Sequence, residues 1–140
     1  MALSQDEREQ FLAEPHTAAL SVHAGSGRGP LTVPIWYQYH PGGELWLTTG
    51  EGSRKHRLIE EAGYVTLMVD RVEPTVRYVT VDGPVDRIEP GTDELVELTR
   101  RYLPPEAVDP YLEMARREHG PSVAIFLRPQ HWLSADLGSF

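Results

Sequence analysis

Apolar and polar residues alternate along this chain over short runs, and Gly and Pro fall between the runs, the pattern of half-buried strands joined by turns. Thr17–His23 centres on Ala19, Leu20 and Val22. Leu31–Tyr39 carries Val33, Ile35, Trp36 and Tyr37, and the turn Pro41-Gly42-Gly43 leads on to Glu44–Thr49, which predicts a hairpin. Tyr64–Val69 and Val76–Asp82 are rich in β-branched residues. Val85–Ile88 follows Gly83-Pro84, and Ser122–Leu127 forms a late apolar strand. These six or seven strands are spaced as in an all-β barrel rather than in βαβ units.

Longer-period segments interrupt the series. Ser4 with Glu7 fits a capping box ahead of Phe11 and Leu12, and Pro15 stops that opening helix. Ser53 to Ala62 ends at Gly63, a residue suited to a helix C-terminus. Thr92 to Leu103 places Leu95, Val96, Leu98, Thr99 and Tyr102 on one side and stops at Pro104-Pro105. Asp109-Pro110 predicts an N-cap and first-turn proline for a helix closing at Gly120. The expected fold is mainly β: a six- or seven-stranded antiparallel barrel with peripheral helices. Gly25-Ser26-Gly27-Arg28-Gly29 lacks a following helix signal and reads as a hairpin loop.

With 140 residues and no internal linker or repeat, the expectation is one domain over residues 1–140. The 13 basic and 21 acidic residues leave a net charge of −8, which gives no reason to seek nucleic acid or an anionic membrane surface. No cysteine is present, so thiolate metal sites, disulfides and cysteine nucleophiles are excluded. The six histidines show no ligand spacing, and no metal site is expected. The acidic start of the chain is followed by no apolar segment of secretory type, and no apolar run is long enough for a membrane span, so a cytoplasmic location is expected.

The chemistry concentrates at Leu47-Thr48-Thr49-Gly50-Glu51-Gly52-Ser53-Arg54-Lys55-His56-Arg57. A strand ends, a glycine loop turns and a helix begins. A helix N-terminus offers free backbone N–H groups and the positive end of the dipole, an anion site in itself. Arg54 and Lys55 occupy the first turn, where cations oppose that dipole; an anionic ligand resolves the conflict. A solvated basic helix start is the alternative. Glu60, Glu61, Glu113 and Glu118 read as solvated helix faces, and no catalytic acid, base or nucleophile is assigned.

The segment Glu44–Val69, with its strand-ending threonines and Gly52-Ser53-Arg54-Lys55 turn, resembles the flavin-phosphate segment of the pyridoxamine 5'-phosphate oxidase family. The resemblance implies a split β-barrel homodimer holding FMN, or the deazaflavin coenzyme F420, in a groove between subunits, with hydride transfer to or from a small organic molecule. It places Arg54, Lys55, Thr48, Thr49 and Ser53 at the phosphate and runs the Val33-Pro34-Ile35-Trp36 backbone past the ring. It sets Tyr78 near the cofactor, and Trp132 reaching it from the other subunit.

Two departures accompany it. After Trp132 the chain reads Leu133-Ser134-Ala135-Asp136-Leu137-Gly138, without the arginine-bearing substrate motif of the true oxidases. Val33 stands where those oxidases carry an early basic residue. A short reductase-type relative is therefore expected, not a vitamin B6 oxidase. The alternative from another class is a non-catalytic binder of flavin or tetrapyrrole.

Overall fold

Ser4 and Glu7 close the expected capping box. In the computed structural model, which describes residues 1–140, helix α1 (Gln5–Ala13) begins behind Ser4. The Ser4 hydroxyl accepts from the Glu7 N–H at 3.2 Å, and the Glu7 carboxylate accepts from the Ser4 N–H at 2.9 Å. The Ser4 N–H, with the Ser4 hydroxyl beside it, holds the Glu7 carboxyl below its usual range. Phe11 and Leu12 of α1 are buried in the barrel core.

Eight strands follow: β1 (Ala18–Val22), β2 (Leu31–Ile35), β3 (Gln38–Tyr39), β4 (Leu45–Gly50), β5 (Tyr64–Arg71), β6 (Val76–Pro90), β7 (Ser122–Leu127) and β8 (His131–Gly138). All pair antiparallel in the order β2-β1-β5-β6-β7-β4-β3, with β8 added to β6. The sheet curls into a split barrel with four helices outside, α1, α2 (Arg54–Ala62), α3 (Thr92–Tyr102) and α4 (Pro105–His119). The fold class agrees with the sequence reading; the strand count is one higher than its upper limit.

Three elements differ from expectation. Leu31–Tyr39 is not one strand. The chain turns a corner at Trp36-Tyr37, so β2 pairs β1 while β3 pairs β4. The Tyr102 hydroxyl pins this corner: it accepts from the Tyr37 N–H at 3.3 Å and lies 2.6 Å from the His16 carbonyl and 3.2 Å from the Tyr37 carbonyl.

Gly83-Pro84 is not a turn but the middle of β6. The first half of β6 pairs β5 on one side and β8 on the other; the second half crosses to β7, with a register shift between Val85 and Arg87. Glycine is needed at 83 because a Cβ there would stand 1.8 Å from the Arg128 carbonyl oxygen.

Helix α4 starts at Pro105, not Pro110. Pro104-Pro105 supplies both the break and a first-turn proline. Val108 and Ala115, seven residues apart, are buried on one face, which keeps the chain helical through Pro110 despite its missing N–H.

The core has two parts. Leu20, Leu47, Ile59, Leu67, Val79 and Ile125 are among 19 buried residues inside the barrel. A smaller cluster of Trp46, Leu98, Ala124 and Phe126 lies between α3 and the outer face of β4 and β7, with Trp36 and Tyr102 packed on it. Each fully buried aliphatic side chain contributes about 1.5–3 kcal/mol of burial free energy. The second cluster holds the α3–α4 pair against the sheet, and that placement creates the groove described next.

Candidate functional site

Strand alternation decides what β4 offers to each side. Leu45 and Leu47 point into the barrel, while Trp46 and Thr48 face α3 and α4. Beyond Gly50 the chain bonds back to the start of β7: the Glu51 N–H donates to the Pro121 carbonyl at 2.9 Å. Gly52 adopts φ +75°, a left-handed conformation suited to glycine. Its N–H donates to Nδ1 of His56 at 2.9 Å.

Ser53 caps α2 by accepting the His56 N–H at 3.2 Å, and its hydroxyl lies 3.2 Å from that of Thr49. Ile59 anchors the helix in the barrel core. No acidic residue occupies the first turn of α2, so Arg54 and Lys55 stand there uncompensated. Neither takes part in an ion pair within the chain.

A groove runs from this helix start along the edge strand β2, with α4 as its far wall. Its first cavity, about 480 Å³, is lined by Thr48, Thr49, Ser53 and Lys55 on the barrel side. Tyr111, Ala115, Glu118 and His119 of α4 face them. A second cavity of about 270 Å³ continues past Pro34, Ile35 and Trp36, and the two share Ile35, Thr48, Leu95 and Tyr111. A third, about 340 Å³, shares Thr17 and Pro34 with the second and reaches Val33, Ala19 and Met68 on the outer sheet face.

The groove has two chemical ends. Near α2, Lys55, the hydroxyls of Ser53 and Thr49 and the N-terminal amides of α2 favour an anion, while Glu51 and Glu118 bring negative charge to the rim. The middle section has no charged side chain in its lining. There Trp36 stacks on Tyr102 with ring centroids 4.8 Å apart and 3° between planes, and Tyr111 tilts against it at 5.2 Å. An apolar, aromatic-walled slot beside an anion seat suits a planar ligand carrying a phosphate.

The sequence-identified residues divide in three. Thr48, Thr49, Ser53, Lys55, Val33, Pro34, Ile35 and Trp36 line this continuous groove. Arg54 is exposed on the first turn of α2 and lines none of it. Tyr78 and Trp132 are elsewhere in the chain. Tyr78 sits opposite Asp70 and Ala135 in the sheet. Trp132 packs in its own chain, 6.1 Å from the Tyr39 ring and 4.7 Å from the Arg8 guanidinium carbon.

The α4 residues Tyr111, Ala115, Glu118 and His119 were not identified from the sequence as site residues. Their spacing marks one helix face. What that face meets is decided by α3 packing and by Ser122 pairing with Gly50, which no local pattern reveals.

The sequence model of the family described as pyridoxamine 5'-phosphate oxidase matches residues 4–134. No curated protein sequence matches the chain. Among solved structures, an F420 reductase superposes with a TM-score of 0.71 at 24% identity, covering 89% of this chain and 94% of that one. A conserved hypothetical protein of Mycobacterium tuberculosis gives 0.72 at 21% identity over 97% and 86% of the two chains. A FAD-binding protein of Mesorhizobium loti gives 0.63 at 18% over 97% and 95%. At these identities the structural likeness speaks for the fold.

Proposed function

The chain belongs to the pyridoxamine 5'-phosphate oxidase family, and from that premise we propose that it is an oxidoreductase holding FMN or the deazaflavin coenzyme F420 in the groove at the start of α2. The observation that carries the reading is Lys55: a cation on the first turn of α2, lining the groove, with no carboxylate partner, beside the Ser53 and Thr49 hydroxyls. Its position fits a cofactor phosphate. Charge-assisted hydrogen bonds contribute about 1.5–3 kcal/mol each, so Lys55 with two or three donors supports useful affinity.

Each residue has a task in this reading. Lys55 and the α2 amides bind the phosphate, and Thr48, Thr49 and Ser53 complete its surroundings. Arg54, exposed on the same turn, adds positive potential from outside. The backbone of Val33, Pro34 and Ile35 and the face of Trp36 flank the ring, excluding water. Bound there, the cofactor supplies hydride transfer; the protein supplies position and electrostatics. The substrate is a small organic molecule.

The active form in this proposal is a homodimer of single-domain subunits. The outer face of β5, β6 and β8 leaves Leu133 63% and Leu137 53% exposed beside Tyr78 and Met68, an apolar surface of the kind that subunits cover. Tyr78 would then approach the groove of the other copy.

The test is titration of apo-protein with FMN and with F420, followed by fluorescence. Binding of one supports the reading and selects the cofactor; binding of neither refutes it. Reoxidation of the reduced complex by a panel of acceptors then separates an enzyme from a carrier, since a carrier accelerates none.

A further inference from the structure

A separate cavity of about 380 Å³ opens between α3 and α4, at the end where the first turns of α3 meet the last turns of α4 and the start of β7. The cofactor reading makes no use of it. Leu95 and Val96 of α3 and Leu112 of α4 form its apolar wall, while Thr92 and Ser122 bring hydroxyls to it. Arg116 is its one charged lining residue.

Some of the chain's cations are tied to carboxylates and others, Arg116 among them, are not. The Arg87 guanidinium engages Glu44, Asp86 and Glu89, and Arg71 and Arg77 both reach Asp136. Arg116 has no ion pair and its side chain makes no hydrogen bond in the chain, although acidic residues exceed basic ones by 21 to 13. The nearby acids of α3, Asp93 and Glu94, are not part of the cavity lining.

We propose that this cavity binds a monocarboxylate with an aliphatic tail. The carboxylate pairs with Arg116 and takes hydrogen bonds from the Thr92 and Ser122 hydroxyls. The tail lies along Leu95, Val96 and Leu112. Arg116 is the only cation in the lining and two hydroxyls stand with it, a donor set that fits the two oxygens of a carboxylate. The volume falls in the range of small-molecule sites, roughly 300–1,000 Å³. Leu95 and Ser122 also line the cofactor groove, so occupancy here is registered at that groove's wall. The proposal does not depend on the cofactor reading.

Octanoate and 1-octanol are the probes, followed by calorimetry and backbone amide shifts on the full chain. Wild type binds octanoate saturably, with shifts at Thr92, Leu95, Val96 and Ser122. Arg116→Gln, at an exposed position, weakens octanoate about fivefold, the loss of a partly screened charge-assisted contact, and leaves octanol unchanged. Lys55→Ala leaves octanoate unchanged, which separates this cavity from the groove. The proposal is overturned if octanoate does not saturate, if Arg116→Gln affects both probes alike or neither, or if Lys55→Ala abolishes binding. FMN binding is measured in parallel, so failure of the cofactor reading is recognised independently.

Discussion

The Thr49 and Ser53 hydroxyls lie 3.2 Å apart and join the end of β4 to the N-cap of α2. Ser53 thereby serves both the helix and the proposed anion seat, and two substitutions separate those roles. Ser53→Ala removes the cap and lowers stability by about 1 kcal/mol. Ser53→Asp keeps a good cap but puts a carboxylate beside Lys55. It is expected to retain the wild-type melting temperature while losing FMN affinity, as measured by thermal denaturation and fluorescence titration.

Gly83 tests the unbroken course of β6. An alanine Cβ would lie 1.8 Å from the Arg128 carbonyl oxygen, so the β7–β8 connection has to move. Gly83→Ala is expected to destabilise by about 4 kcal/mol or more in urea unfolding, in the exceptional range for a point substitution. A cost like that of an ordinary turn glycine would contradict the crossing described here.

Tyr102 tests the corner beside the groove. Its hydroxyl serves the corner backbone at Tyr37 and the His16 carbonyl just ahead of β1. Tyr102→Phe keeps the ring stacked on Trp36 but leaves those groups unpaired. The expected loss is about 1–3 kcal/mol by chemical denaturation, with weaker cofactor binding because Trp36 loses its fixed approach.

Asp136 sets an acid limit. Hydrogen bonds from the Thr75 hydroxyl at 2.7 Å and the Gly138 N–H at 2.9 Å, with Arg77 alongside, hold its carboxyl down to about 2 from an ordinary 3.8. The folded state therefore binds this proton more weakly than the unfolded state. The stabilisation is complete above about 3.8 and is lost as pH falls through about 2. Melting temperatures of wild type should fall across that window, and Asp136→Asn should show a flatter profile there.

What could be read in advance was what neighbouring residues decide. Ser4 with Glu7, and Ser53 before Arg54, announce helix starts because caps are contacts within a few residues. Ser122–Leu127 is bounded as expected because an unbroken apolar run buried on both faces has no competing pattern. The misread elements depend on distant partners. Gly83-Pro84 has turn composition, yet its glycine answers to Arg128. The Trp36-Tyr37 corner answers to Tyr102.

The site divides in the same way. Its β4–α2 side is one continuous stretch, and Lys55 with the Ser53 and Thr49 hydroxyls could be found there. Arg54 and Lys55 are adjacent, so the helical rotation between them turns one to the groove and the other to solvent. The α4 wall, with Tyr111 and His119, has the sequence of an ordinary amphipathic helix until α3 is packed.

The central claim is a phosphate held by Lys55. The most direct measurement is the ratio of FMN to riboflavin affinity in wild type, Lys55→Ala and Arg54→Ala, by fluorescence titration of apo-protein. Wild type is expected to prefer FMN by about tenfold or more, Lys55→Ala to remove most of that preference, and Arg54→Ala to remove less. Equal affinity for FMN and riboflavin in wild type, or a preference untouched by Lys55→Ala, would contradict it.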